Sequence, residues 1–244
     1  VTAALRHLDL TLATPEENLA LDEALLDEAE QCAEPLETLR LWELPTLLAV
    51  LGRSSQAAQE VDLEACRRDG VPVLRRTSGG ATILTGPGCL MYALVLSYER
   101  RPALRSVDLA HHLVLDTLVA ALRPLAPEVR CRGVSDLALG DWKFSGNSVR
   151  CRRRHLLYHG TLLYRFPLPL VEQYLRMPPR QPDYRAGRDH WAFLRNLPLE
   201  PSVIRAALQS AWHAHTCISD WPHDRTAQLV AERYGQAAWN VGAV

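Results

Sequence analysis

The chain has 27 basic residues, of which one, Lys143, is lysine and the other 26 are arginine. A compact ammonium and a planar guanidinium are not interchangeable, so a lone lysine among so many arginines points to a place where only an ammonium serves. Chance survival of one lysine is the plain alternative. Lys143 stands in Trp142-Lys143-Phe144-Ser145-Gly146-Asn147-Ser148, a strand-like stretch with an aromatic residue on each side. A partly desolvated ammonium there is suited to hold a carboxylate, and then the negative charge that grows as the carboxylate is activated.

Arg75-Arg76-Thr77-Ser78-Gly79-Gly80-Ala81 is the second candidate. Glycines let a backbone approach an anion closely, and successive N–H groups make a concave nest for phosphate or carboxylate oxygens. The two arginines would add charge-assisted donors; a turn with two surface arginines is the bland reading. Asp136, in Ser135-Asp136-Leu137, could orient the ammonium or help to hold Mg²⁺, or be an exposed hairpin acid. His159-Gly160-Thr161 lies inside an apolar strand, where His before Gly marks a close backbone approach and a satisfied core histidine outweighs a general base. No Ser/His/Asp or Cys/His set can be assembled from spacing, and the nine histidines show no metal-ligand pattern.

These residues need elements to position them. Residues 5–12 read as a strand. Thr14, Pro15 and Glu17 then open a helix as N-cap, first turn and capping box, and it runs to about Glu30. Strands are expected at 39–41 and 47–52 around a Pro45 turn, and at 71–76, 82–84 and 90–97; a short helix at 61–69 is ended by Gly70. Residues 107–126 form the clearest helix, with Leu109, Leu113, Leu118 and Leu122 on one stripe. Short strands follow at 129–132, 135–139, 143–149 and 155–164. Proline and arginine crowd 176–188, and helices resume at about 201–215 and 223–234. The reading is an α+β protein: a catalytic body at 1–165, built on a mixed or antiparallel sheet with flanking helices, and a mostly helical segment at 166–244 packed on it.

The composition is 48% hydrophobic and 23% charged, with a formal net charge of -1. That balance argues against nucleic-acid binding as the main task. No stretch approaches the ~20 apolar residues of a membrane span, and no signal peptide is evident, so a cytoplasmic location is expected. The six cysteines form no CxxC pair, which leaves neither a zinc site nor a redox motif suggested.

Together these pieces resemble the lipoate–protein ligase A family, within the group that includes biotin ligases and octanoyltransferases. The resemblance is carried by Asn18-Leu19-Ala20-Leu21-Asp22-Glu23, Gly52-Arg53-Ser54-Ser55-Gln56, the double-glycine segment, Ser135-Asp136-Leu137, Lys143 to Ser148, and His159-Gly160-Thr161-Leu162-Leu163. Weaker echoes follow in Phe193-Leu194-Arg195-Asn196-Leu197 and from Arg233-Tyr234 to Trp239-Asn240. The family fold is the class II biotin/lipoyl synthetase-like catalytic domain. The resemblance implies activation of lipoate or octanoate by ATP, with Mg²⁺ assisting, and transfer from acyl-AMP to a lysine of a lipoyl carrier. That carrier would be the lipoyl domain of a 2-oxoacid dehydrogenase or a glycine-cleavage H-type protein. Lys143 matches the family lysine that contacts acyl carbonyl and phosphate. Arg76 with Ala81, Thr82, Ile83 and Leu84 matches the segment that embraces the adenylate. Ser78, Gly79, Gly80, Ser145 and Asn147 fall beside it, and Asp136 and His159 support it.

Three departures qualify the match. Thr85-Gly86 and Gly88-Cys89 stand where the ligases have His-Asp and Gly-Asn. Gly86-Pro87-Gly88 is similar instead to the turn of octanoyltransferases, which use no ATP. The chain is also short for the accessory domain of longer ligases, so activation could need a separate protein. The alternative is therefore an acyltransferase using a cysteine thioester, with Cys131 or Cys89 as nucleophile. A second alternative is a carrier-binding protein without catalysis, whose arginines at 150, 152, 153, 154, 176, 180, 185 and 188 form a basic face for an acidic carrier.

Overall fold

The computed structural model describes residues 5–242. Eight strands build the main sheet: β1 (Arg6–Asp9), β2 (Thr38–Trp42), β6 (Cys89–Ser97), β7 (Val129–Arg132), β8 (Asp136–Leu139), β9 (Trp142–Cys151), β10 (His155–Leu163) and β11 (Thr216–Cys217). Their order is β11-β1-β2-β6-β10-β9-β8-β7, with β1 parallel to both of its neighbours and the other pairs antiparallel. A smaller sheet, β4-β3-β5, is made by β3 (Leu48–Leu51), β4 (Val73–Arg75) and β5 (Ile83–Thr85). The strands on either side of Pro45 thus part into different sheets and form no hairpin.

Every residue of β6 and of β10 is buried, because the main sheet is covered on both faces. That is why both read as near-continuous apolar runs. Leu90, Tyr92, Leu94 and Leu96 of β6 pack with α4 (Val107–Leu122) and α7 (Pro201–Ala211). Ala93 and Val95 face α1 (Pro15–Gln31) on the other side. The capping box of α1 is present, with the Glu17 N–H donating to Thr14 Oγ1 and the Thr14 N–H donating to Glu17 Oε2. In α4 the core stripe is Ala110, Val114, Leu115, Leu118 and Leu122. Of the leucine stripe read from spacing, Leu118 and Leu122 are in the core, whereas Leu109 is exposed and Leu113 only half-buried, so the core face is displaced in the first turns. A single-turn helix, α2 (Ala57–Glu60), precedes the expected α3 (Leu63–Arg68).

Further elements follow Pro167: α5 (Pro169–Tyr174), a 3-10 turn at Asp183–Arg185, α6 (His190–Phe193), α8 (His223–Leu229), a π-helical turn at Val230–Tyr234, and α9 (Ala237–Asn240). This part of the chain also gives β11 to the sheet edge, and Leu197, Ile204, Leu208 and Trp212 to the core around α4. Acidic residues of α1 hold its end in place. Glu23 accepts from Arg233 and from the Tyr234 hydroxyl, both at 2.7 Å, and Asp27 from Arg225 at 2.7 Å. Among the described residues no helix is long and apolar enough to cross a membrane.

Candidate active site

A bulge in the β8–β9 hairpin sets the lysine. Ala138 pairs with Lys143 and Leu137 with Ser145, so Phe144 is an extra residue on β9. Side chains normally alternate faces with a period of two, but one inserted residue brings Lys143 and Gly146, three apart, to the same face. The ammonium then lies over Gly146, in the space a side chain would fill, and meets Asp136 Oδ1 at 2.7 Å. The Tyr184 hydroxyl donates to Asp136 Oδ2 at 2.8 Å. Lys143 is 25% exposed. The flanking aromatics do not shield it: Phe144 is buried in the core on the α4 side, and Trp142 sits under the guanidinium of Arg195.

The double-glycine bend is braced from within. Arg76 donates from Nη2 to the carbonyls of Gly79 (2.5 Å) and Ala81 (3.0 Å), from Nη1 to that of Val50 (3.2 Å), and from Nε to Ser78 Oγ (3.1 Å). Burial pulls its pKa down to about 10, partly opposed by Glu60. Arg75 is fully buried and bonds the carbonyls of Gly52, Ser55 and Trp239. The expectation of two arginines offered to an anion is therefore corrected for Arg75, which locks β4 to the end of the chain. Gly80 has φ +88°, and a side chain on Gly52 would collide with the Gly80 carbonyl, so both glycines are needed for this approach. The Thr82 N–H and hydroxyl both donate to Glu60 at 2.8 Å, which fixes the segment after the bend.

Tertiary structure also assembles a line of polar groups that spacing could not show. The His159 Nε2 lies 2.5 Å from Ser78 Oγ, its Nδ1 lies 3.5 Å from Asp22 Oδ2, and Asp22 Oδ1 accepts from Arg40 at 2.6 Å. Ser78 is 1% exposed and also takes the Arg76 N–H, so it holds the histidine rather than acting as a nucleophile. Ser145 and Asn147 border the cavities, but their side chains belong to the opposite face. Asn147 Oδ1 accepts from the Tyr92 hydroxyl at 2.5 Å, and Nδ2 donates to the Ser135 carbonyl at 2.8 Å. Gly160 is required because a Cβ there would strike the Asn147 amide.

Two cavities of about 130 Å³ each meet at the lysine. The inner one is walled by Leu19, Asp22, Val50, Arg76, Gly80, Met91, Asp136, Asn147 and His159. The outer one is walled by Glu60, Leu84, Ser145, Arg176, Arg180, Arg185, His190 and Phe193. Ala81, Thr82, Ile83, Lys143, Gly146 and Thr161 line both. Ser78 and Gly79 line neither and face a groove on the other side of the bend. Asp22, Arg40, Glu60 and Tyr184 went unassigned from sequence. Only Asp22 carried a signal, its place on the buried stripe of α1.

Neither candidate thiol lines these cavities. Cys89 is fully buried, and burial pushes its pKa up to about 12. Cys131 is on the outer strand β7, where burial and then Asp116 raise its pKa to about 11. Asp136 has one oxygen on Lys143 and the other on the Tyr184 hydroxyl, and among the described residues no group of three His, Cys, Asp or Glu could hold a metal ion. The eight arginines form no single face: Arg152 pairs with Glu23 and Asp27, Arg154 bonds the carbonyls of Cys32 and Ala33, and Arg185 is buried.

Solved structures share this arrangement of mixed sheets with flanking helices. A bi-partite lipoate protein ligase of Thermoplasma acidophilum superposes with a TM-score of 0.82 at 21% identity, covering 99% of this chain and 97% of that one. A lipoate-protein ligase A bound with ATP superposes with a TM-score of 0.81 at 22% identity, covering 99% and 100%. Residues 14–197 match the lipoyl protein ligase A/B catalytic domain, and the chain belongs to that family. Its relatives include a candidate lipoate-protein ligase A of Aeropyrum pernix, 35% identical over 156 residues, which are 64% of this chain and 56% of the relative. An octanoyltransferase LipM of Carboxydothermus hydrogenoformans is 30% identical over 189 residues, 70% of this chain and 69% of the relative. The chain spans about half the length of the curated ligases it matches, or less.

Proposed function

We propose that this chain is the catalytic unit of a lipoate–protein ligase, which activates lipoate or octanoate with ATP and passes the acyl group to a lysine of a lipoyl carrier. The observation that carries the reading is that one ammonium, Lys143, lines both cavities. Leu19, Val50 and Met91 are among the residues lining the inner cavity, and they give an acyl chain an apolar wall. The outer one, with Arg176, Arg180 and Phe193, suits a nucleotide. At their junction a carboxylate oxygen would attack the α-phosphorus, the bond to pyrophosphate would break, and Lys143 would hold the charge on the transferring oxygens. The carrier amine would then attack the acyl carbonyl, forming an amide as AMP leaves and the amine loses its proton. His159 and Arg76 would keep the acid-binding wall rigid.

Magnesium would arrive with the nucleotide, since among the described residues no group of three His, Cys, Asp or Glu could hold it. Solved relatives with ATP and with lipoic acid, and one studied with its E2 lipoyl domain, support the choice of substrates and partner. The bi-partite relative gives precedent for a separate accessory protein. Six unpaired cysteines suit the reducing cytoplasm. The transferase alternative has the LipM relative in its favour but needs a thiolate at the acyl carbonyl, and no cysteine lines either cavity. ATP–pyrophosphate exchange with lipoate or octanoate tests the reading. Exchange by the wild type, with a loss of about 10²–10³ in Lys143→Arg, is expected. ATP-independent acyl transfer between carriers would favour the transferase, and carrier binding without exchange would favour a non-catalytic protein.

A further inference from the structure

Behind the double-glycine bend lies an open groove of about 330 Å³, walled by Arg53, Ser54, Thr77, Ser78, Gly79 and Arg150. Only the bend separates it from the inner cavity. Ser148, which lines that cavity, donates to the Gly79 carbonyl at 2.9 Å, and Gly79 lines the groove. The neighbouring cations are already matched. Arg152 pairs with Glu23 and Asp27, each at 3.3 Å, and Arg233 bonds Glu23. Arg150 differs in forming no salt bridge among the described residues, and its Nε, like that of Arg152, is out of water with no hydrogen-bond partner. Burial, followed by the guanidiniums of Arg53 and Arg152, lowers its pKa below the usual arginine value despite Glu23. Positive charge therefore accumulates at this spot beyond what the fold neutralises, in a groove wide enough for side chains of another protein.

We propose that this groove docks an acidic segment of the acyl-accepting protein, whose carboxylates pair with Arg150 and Arg53. The inference rests on the ligase reading, because it takes the incoming protein to be the acyl acceptor. Carboxylates near the acceptor lysine would be drawn to the two guanidiniums and steer the lysine to the bend. Such charge complementarity sets encounter rate and register. Arg53 and Arg150 line neither substrate cavity, so the acid-activating half-reaction proceeds without them.

The test uses the full chain and a fluorescently labelled apo lipoyl domain with acids on either side of its acceptor lysine, alongside the same domain with those acids changed to amides. Arg150→Glu and Arg53→Glu are expected to weaken binding of the acidic domain on the order of tenfold and to flatten its salt dependence. Arg150→Lys should retain most of the binding, and the neutralised domain should bind wild type and variants alike. Pyrophosphate exchange, measured in the same preparations, should stay at the wild-type rate, which also shows that the variants fold. Equal binding of the acidic domain by wild type and both Glu variants, or no binding by wild type, overturns the docking site. Absence of exchange in wild type overturns the ligase reading instead, and the anisotropy result still decides the docking site.

Discussion

Replacing Gly146 by alanine would set one methyl group against the ammonium of Lys143. A Cβ at 146 would lie 3.0 Å from Nζ and 3.1 Å from Cε. Comfortable contact begins at roughly 3.5 Å, so the lysine tip must retreat by about half an ångström. That retreat stretches the 2.7 Å ion pair with Asp136 and shifts the charge away from the junction of the two cavities. A misplacement of about 1 Å costs on the order of a hundredfold in rate, so half of it predicts roughly a tenfold lower kcat for acyl-adenylate formation. Backbone strain does not enter, because Gly146 has no positive φ, and the displaced atoms are the end of a flexible chain. The melting temperature should therefore barely move. The assay is pyrophosphate exchange at saturating ATP and acid, with a thermal melt on the same sample. A Gly146→Ala enzyme with wild-type kcat and an unchanged melt would refute the claim that this glycine positions the ammonium.

Three further outcomes are expected. Asp22→Asn strips the counter-charge from Arg40, whose side chain is fully buried, and such a loss costs about 3–5 kcal/mol. Thermal melts should fall by roughly 10 °C, and a fall of only a degree or two would contradict the pairing. His155, His190 and His111 are held below the usual imidazole pKa of 6.5, chiefly by burial. As pH drops through that value the unfolded chain takes up protons before the folded one, so stability should decline below about pH 6.5 and level off above it. Urea denaturation at about pH 7.5 and about pH 5.5 measures this, and equal or greater stability at the lower pH would count against it. Cys131→Ser should leave exchange and carrier acylation within about twofold of wild type, since the thiol is on the outer strand with a raised pKa. Loss of acylation with exchange intact would revive the thioester route.

Much of the fold was legible because local patterns and burial agreed. The Thr14–Glu17 capping signal and the apolar run of β6 both form as the residues suggest. The leucine stripe of α4 held at Leu118 and Leu122 but not at Leu109 and Leu113, because in the first turns Ala110 and Val114 are the residues that face the core. The separation of β2 from β3 was not legible either. A proline turn between two short strands fits a hairpin as well as a crossing between sheets.

What residue types alone determined was the chemistry on offer: one ammonium in an arginine-rich chain, a double glycine after a strand, a histidine beside a glycine. Only the folded chain decided which of these meet. An inserted residue in β9 turns Lys143 onto the face that carries Asp136 and His159, while Ser145 and Asn147 turn away. Such facing depends on strand register, which is set by pairing partners far away in sequence. The link from Asp22 through His159 to Ser78 likewise joins a helix, a strand and a loop that no spacing rule connects.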